Sequence, residues 1–531
     1  MKLINKLLIV AVMISLPVLH LTASDYKYDY LYKDLAFSMP KVEVPQFPNR
    51  ELSLIEAGGV GDGYTLNTKA FEKAISTLAA RGGGTVVVPF GVWLTGPIVL
   101  QSNIRLHLEE GSIILFTPDK DAYPLIETSF EGLTTMRCQS PISGKNLTNI
   151  AITGKGAING SGDAWRPVKR GKVTDSHWKR LLDSGGVMKN KDYWFPSAGA
   201  LKGDQLSESN LNVPRNPMTQ ADWMEIRDFL RPVMVSLQEC KNVFLQGVLF
   251  ENSPSWNIHP LMCENIIIDG VFVRNPSYSQ NGDGIDLESC KNALIVNSVL
   301  DVGDDAICIK SGKDEEGRRR GRPTENVLVD NCRVFKGHGG FVVGSEMSGG
   351  VKNVSVTNCS FIGTNIGLRF KSTRGRGGVV ENIYVHNVSM YNIVNEAFLF
   401  DLYYMNGATS SGVPVADETT PVFRNIFVKD IVANQAGKAM FFNGLPEMNI
   451  SNIVVENSFF TTQEGAVLSE SDGVQFTNVR INPSEGPAIK LNNVKNFKSK
   501  GLSYPETLKQ AFEVTGDKTK NIQLPDDKNS K

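Results

Sequence analysis

Asp283 in NGDGID stands 21 and 22 residues before the adjacent Asp304 and Asp305 in VGDDAICIK. Carboxyl groups can donate a proton, accept one or activate water, and a pair in opposite protonation states is what general acid and base catalysis requires. Three of them gathered within about 5 to 10 Å repel one another, so a fold keeps such a group where some use offsets the cost. The plain alternative is a set of turn residues in an Asx ladder. Neighbouring side chains point to opposite faces of an ideal strand. Asp304 and Asp305 therefore share a site only if a bulge or turn at Gly303 re-aims one of them.

His338 follows in GHGG, 34 residues beyond Asp304, and Arg369 and Lys371 alternate in LRFK. A histidine between glycines can be a simple turn residue, yet glycines also let backbone and ligand come close. Arg369 and Lys371 share one strand face, where basic residues more often protect an exposed edge. Beside a carboxylate cluster they form a cationic fork suited to a sugar that carries a carboxylate, and the cluster itself suits glycosidic hydrolysis. Taken together the residues point to a polyuronide.

These residues can meet only if the chain repeats. Phrases of alternating apolar residues recur from Asn242 (NVFLQGVLF), Asn265, Asn292, Asn326, Asn353, Asn382, Asn425, Asn452 and Gly473. The intervals are 23, 27, 34, 27, 29, 43, 27 and 21, a base period near 21 to 29 with two loop insertions. Each unit holds two short strands of period two, which excludes helical repeats and is too short for a four-stranded propeller blade. The expected fold is all-β, a right-handed parallel β-helix with an asparagine at the same corner of every coil. Residues one period apart are then neighbours in space. Asp283, Asp304 and Asp305 fall on one face, and His338 joins them once the insertion at residues 313–324 is subtracted.

Seven cysteines are too many by one for a tidy disulfide set, and five of them recur in register with the asparagines. They read as small buried hydrophobes. A segment with Phe71, Ile75 and Leu78 at helical spacing, capped by Asn67 and closed by Gly82, Gly83 and Gly84, is expected to lid the first coil. The repeat lapses over residues 160–231, which hold Trp165, Trp178, Trp194 and Trp223. This insertion is either a packed satellite or a wall beside a binding groove.

With 55 Lys and Arg against 56 Asp and Glu, the formal charge of −1 gives no long-range attraction for nucleic acid or an anionic membrane. Lys2 and Lys6, an apolar run from Leu7 to about Leu19 and the small trio Thr22, Ala23 and Ser24 have the layout of a secretory signal peptide. The run is too short to span a bilayer and carries no lipid-anchoring cysteine. The division expected is a signal peptide over 1–24, a lead segment over 25–50, a single catalytic β-helix over 51–520 and a polar tail over 521–531. The mature protein is expected to be a monomer, periplasmic or secreted.

NGDGID, GDD, GHG and RFK, in this order and at these intervals, resemble the NTD, DD, GHG and RIK motifs of glycoside hydrolase family 28, the polygalacturonase-like pectinases. The likeness covers nearly the whole mature chain from GVGDGYTLNTKAFEKAI onward. The resemblance implies an inverting hydrolase that uses neither metal nor cofactor and cuts α-1,4-galacturonosyl bonds of a pectic polysaccharide. It implies Asp304 as general acid, Asp283 and Asp305 holding and activating water, and His338 tuning the acid's proton. Arg369 and Lys371 would grip a uronate carboxylate, with Asn281 and Tyr404 of YMNG as further substrate contacts. Gly282 replaces the family's Thr and could widen the site; Phe370 replaces its Ile and should point inward.

The resemblance, with GHG present and RFK keeping both basic residues of RIK, implies galacturonate on both sides of the cut over a rhamnogalacturonan. The Trp-rich insertion and the Arg318, Arg319, Arg320 loop could close one end of the groove, which favours exo action. The rivals are a calcium-dependent pectate lyase, whose aspartates would hold the cation, and a solenoid that binds glycans without cutting them.

Overall fold

The computed structural model describes residues 26–207, 212–215, 218–405 and 412–525. The expected signal peptide over 1–24, and residues 526–531 of the expected tail over 521–531, lie outside the described residues. The chain divides into two compact units, residues 1–35 and 36–531. In the first, Tyr26 meets Tyr28 and Tyr32 at 5.6 and 6.2 Å around the short 3₁₀ turn Asp29–Tyr32.

The second unit is a right-handed parallel β-helix of 31 paired strands. One column runs through Thr148–Gly154, Lys241–Gln246, Glu264–Asp269, Lys291–Val296 and Thr324–Asp330. A second, which carries the chemistry, runs through Ile258–Leu261, Ile285–Glu288, Ile307–Lys310, Gly339–Val343 and Ile366–Lys371. Alternation fills the cylinder, because every second residue turns inward: Ile266, Ile268, Ala293, Ile295, Val327 and Val329 are all buried.

The asparagine corner has a backbone cause. Asn242, Asn265, Asn292 and Asn326 have φ between 57 and 59°, the left-handed region that asparagine tolerates better than most residues. Each amide then donates to the oxygen of the one below, from Asn149 to Asn103 at 3.0 Å, through Asn242 to Asn149 at 2.9 Å, and up to Asn452 on Asn425 at 2.8 Å. Gly473, with φ of 71°, takes the next corner without an amide. The ladder thus begins two coils earlier than the repeat visible in the sequence.

Insertions leave the register intact. The 34-residue interval holds the helix Asp314–Arg320, and the pairing still sets Ile307 against Phe341. The helix Thr68–Ala79 buries Phe71, Ile75 and Leu78 in the same core as Val86 and Ile104. Asn67 stands at its N-cap, but the side chain makes no cap bond. Its oxygen accepts from the Val60 N–H at 2.7 Å and its amide donates to Thr65 and Leu94 carbonyls, so it fastens the preceding loop instead. All seven cysteines are free and buried.

Phe370 is fully buried and stacks on Phe400 at 4.7 Å, with Phe341, Phe398 and Phe423 within 6.4 Å. Because it lies between Arg369 and Lys371, its packing fixes both side chains on the opposite face. Phe370→Ala should cost about 3 to 5 kcal/mol, read as a lower urea midpoint. An unchanged midpoint would mean the aromatic stack is dispensable.

Candidate active site

The turn expected at Gly303 is present: residues 302–306 bend between the strands Val299–Asp301 and Ile307–Lys310. Glycine is required there, since a Cβ at Gly303 would lie 2.3 Å from the Ser279 hydroxyl and 2.6 Å from the Pro276 carbonyl. Ser279 also occupies the space beside Gly282, where a Cβ would come within 2.0 Å of its hydroxyl. The exchange of the family's Thr for Gly282 therefore makes room for Ser279 and does not widen the site. The glycines around His338 serve neighbouring coils in the same way: a Cβ at Gly340 would meet the Phe361 ring at 2.5 Å.

A cleft of about 590 Å³ is lined by Asn281, Asp283, Asp304, Asp305, His338, Lys371 and Tyr404 among others. This is an ordinary volume for a ligand site, within roughly 300 to 1,000 Å³. Asp304 is the most open of the three carboxylates, its side chain 20% exposed against 5% for Asp283 and 1% for Asp305. His338 Nδ1 lies 3.0 Å from Asp304 Oδ1. A proton on either atom satisfies that contact, so the pair can hold one proton between them. The Asp305 and Asn281 N–H groups donate to the two Asp304 oxygens at 3.0 and 3.3 Å.

The three carboxylates differ in proton affinity. Burial pushes Asp304 up, but the His338 hydrogen bond and charge outweigh it and leave the group below its ordinary value. Asp305 is held far lower still, burial being overcome by Lys371 and Arg369. Asp283 is raised well above the carboxylate range by burial and by the charges of Asp286 and Asp304. Its Oδ1 is buried without a hydrogen-bond partner. Three interacting acids titrate as a set, and of the three it is Asp283 that burial and its acidic neighbours favour as the proton holder.

Arg369 and Lys371 do share a face, as expected, but their fork is closed on Asp305. Arg369 Nη1 donates to Oδ1 at 2.8 Å and Lys371 Nζ to Oδ2 at 2.7 Å. A carboxylate buried this deeply needs compensating charge, and these two cations supply it. Lys371 also lines the cleft, whereas Arg369 stands behind Asp305 and does not. Tyr404 covers both, its ring centre 4.7 Å from Lys371 Nζ. Asn281 accepts at Oδ1 from Arg231 Nη2 at 3.0 Å, so the insertion steadies the turn that carries it.

A buried group beneath the cleft escaped the sequence reading. Lys310 Nζ lies 3.2 Å from Asp286, 3.3 Å from Glu346 and 3.7 Å from Asp283, and 3.8 Å from the centre of the Trp256 ring. Beside it His259 and Arg320 meet Glu288 at 2.9 and 2.6 Å. The register was the available signal: Asp286 pairs with Cys308 and Glu288 with Lys310, so these charges stand side by side on the cleft face. Arg320 is thereby committed inward, and Arg318 donates to the Gly375 carbonyl. The arginine loop expected to close the groove is a clasp for the coil stack and does not line the cleft.

Asp286 offers a pH test. Burial raises it from 3.8 to about 6 against the pull of Lys310 and His259. A carboxyl with a raised folded value gives stability that is complete below its unfolded value and declines as pH rises through the folded one. Asp286→Asn should therefore gain on the wild type in urea midpoint as pH goes from about 4 to about 7. A difference independent of pH would contradict the assignment.

The grouping that could hold a metal among the described residues is Asp283, Asp305 and Cys308, with ligand atoms within 4.8 Å. Asp305 already carries two cations, and burial drives the Cys308 thiol far above its ordinary value, which opposes the thiolate a metal would need. A sulfur donor also suits calcium poorly.

The tryptophans belong to the cores of the insertion. Trp165 packs with Tyr123, Ile226 and Leu230, and Trp178 with Trp194 and Val168. The insertion walls the cleft as well, through Lys169, Lys172, Lys189 and Tyr193, so it is both satellite and wall.

Residues 227–462 match the family model described as glycosyl hydrolases family 28. Over 415 residues the chain is 32% identical to a probable polygalacturonase of Vitis vinifera, covering 76% of this chain and 73% of that one. It is 27% identical over 462 residues to an exo-poly-α-D-galacturonosidase of Dickeya chrysanthemi, covering 84% and 73%. Among solved structures, a hyperthermoactive exopolygalacturonase from Thermotoga maritima superposes with a TM-score of 0.65 at 32% identity, covering 87% of this chain and 94% of that one. A family 28 exopolygalacturonase from Yersinia enterocolitica, 22% identical with a TM-score of 0.63 over 90% and 79%, shares the fold. Carrying the family's ordered acidic motifs in one cleft of a β-helix of the same architecture, the chain belongs to glycosyl hydrolase family 28.

Proposed function

We propose that the protein is an exo-acting polygalacturonase that hydrolyses α-1,4-galacturonosyl bonds of pectin with inversion. The observation that carries this reading is the Asp304–His338 pair at 3.0 Å, the most open acid of a cleft whose deeper carboxylates are Asp283 and Asp305. Asp304 protonates the departing glycosidic oxygen, with His338 holding the proton in reserve. Asp283, with a free Oδ1, is the base: in its ionised form it takes the proton of the attacking water. Asp305 stays ionised under Arg369 and Lys371 and supports the positive charge that develops on the sugar. Lys371, Tyr404 and Asn281 contact the substrate; Arg369 acts through Asp305.

Exo action is supported by the insertion standing over one part of the cleft and by likeness to a solved exopolygalacturonase. No helix among the described residues is long and apolar enough to cross a membrane, and the lysine-led apolar start of the chain supports export. We propose a monomer acting in the periplasm or outside the cell.

Incubation with polygalacturonate should release reducing sugar as monomer from the earliest times, with and without chelator. A ladder of oligomers would reverse the exo reading, and preference for rhamnogalacturonan would move the substrate within the family. An unsaturated, ultraviolet-absorbing product abolished by chelator would make the protein a lyase. Binding without any product would leave a glycan-binding solenoid.

A further inference from the structure

The inserted subdomain supplies cations to the cleft that the acid cluster does not use. Lys169 and Lys172 both line it, and among the described residues neither has a carboxylate partner, whereas Lys189 is paired with Asp204 at 2.5 Å and Lys313 with Glu131 at 3.5 Å. Tyr193, on the strand Tyr193–Phe195 of the insertion, lies beneath two of them, its ring centre 5.4 Å from Lys169 Nζ and 5.9 Å from Lys189 Nζ.

A continuous set of contacts ties this platform to the catalytic turn. The Tyr193 hydroxyl donates to Gln280 Oε1 at 3.0 Å. The next residue, Asn281, donates its N–H to Asp304. Arg231, fully enclosed, donates to the Gln280 carbonyl at 3.0 Å and to the Asn281 side chain at 3.0 Å. Lys169, paired with Tyr193 across the insertion's sheet, is thereby tied to the turn that carries the acid, and Lys172 follows three residues on. Deep in the cleft the cations are already matched by acids: Lys371 by Asp305, and Lys310 by Asp286 and Glu346. A polymer of uronates brings a negative charge with every sugar, and a carboxylate beyond the cleaved bond finds its open partners on the insertion.

We infer that Lys169, beside the Tyr193 ring, and Lys172, which lines the same cleft, form a second uronate subsite that binds the carboxylate of a galacturonate residue adjacent to the one being cleaved. This rests on the proposed polyuronide substrate and extends it: the insertion selects an ionised neighbour, so an esterified or neutral sugar at that position binds weakly.

The test uses the full chain carrying Asp304→Asn, titrated calorimetrically with trigalacturonate, with and without Lys169→Met and Lys172→Met. Each lysine removed should weaken binding roughly tenfold, the value of one charge-assisted contact. Methyl-esterified trigalacturonate should bind the unaltered-lysine protein weakly and lose little more when the lysines are replaced. Both side chains are exposed, so thermal midpoints should match and exclude misfolding. Equal trigalacturonate affinity with and without the lysines would overturn the subsite while leaving hydrolysis of polygalacturonate by the wild type intact. Absence of binding to either protein, together with an inactive wild type, would overturn the polygalacturonase reading as well.

Discussion

Asp304→Asn is expected to lower kcat on polygalacturonate roughly 10³-fold, within the range of about 10² to 10⁴ for losing a positioned general acid. The amide keeps the size of the carboxyl group but only one of its two oxygens, so one of the Asp305 and Asn281 N–H donors keeps its acceptor. What disappears is the carboxyl group that can carry a proton to the leaving oxygen, the one that meets His338 Nδ1 at 3.0 Å. Binding should survive, because neither Lys371 nor Tyr404 contacts Asp304 for its own placement: Lys371 is fixed by Asp305 and Tyr404 lies over Lys371. The loss therefore falls on kcat with KM nearly unchanged. Substrates with a good leaving group, such as aryl galacturonides, need less acid assistance and should recover much of the rate. A variant within a few fold of wild type on the polymer would remove Asp304 from the reaction.

Lys310→Met is expected to destabilise the protein by about 3 to 5 kcal/mol, the cost of removing one partner from a buried ion group. The side chain is 4% exposed and is the cation nearest to Asp286, with Glu346 at 3.3 Å and Asp283 at 3.7 Å. Methionine fills the space of the stem and keeps contact with Trp256, so the deficit reports charge and not a cavity. Burial alone would push Asp286 and Glu346 up, and Lys310 is the largest force opposing it in each. Without the ammonium these carboxyls protonate more readily, so the deficit in urea midpoint should shrink as pH falls. A variant as stable as wild type at neutral pH would show that the charges are compensated by other means.

The repeat and the acid cluster were legible because both depend on spacing alone. Once each Asn marks a corner, Asp283 and Asp305 must lie one coil apart, and subtraction of the helix Asp314–Arg320 brings His338 into line. Spacing also placed Arg369 and Lys371 on one face, but it could not tell which carboxylate would capture them. That choice depends on how deeply Asp305 is buried, a property of three dimensions. The Lys310 group was partly legible: an offset of 22 residues between the two acidic strands sets Glu288 against Lys310. The roles of Ser279 and of the lysines on the insertion were not, because they lie outside the periodic segments, where sequence distance carries no geometry.

The account turns on a water delivered from the side of the sugar opposite to the departing oxygen. Proton NMR of galacturonate released in the first minutes, before mutarotation, tests this most directly. The proposed inverting mechanism predicts that the first signal is the β anomer from an α-linked chain. An initial α anomer, or an unsaturated uronate, would contradict it.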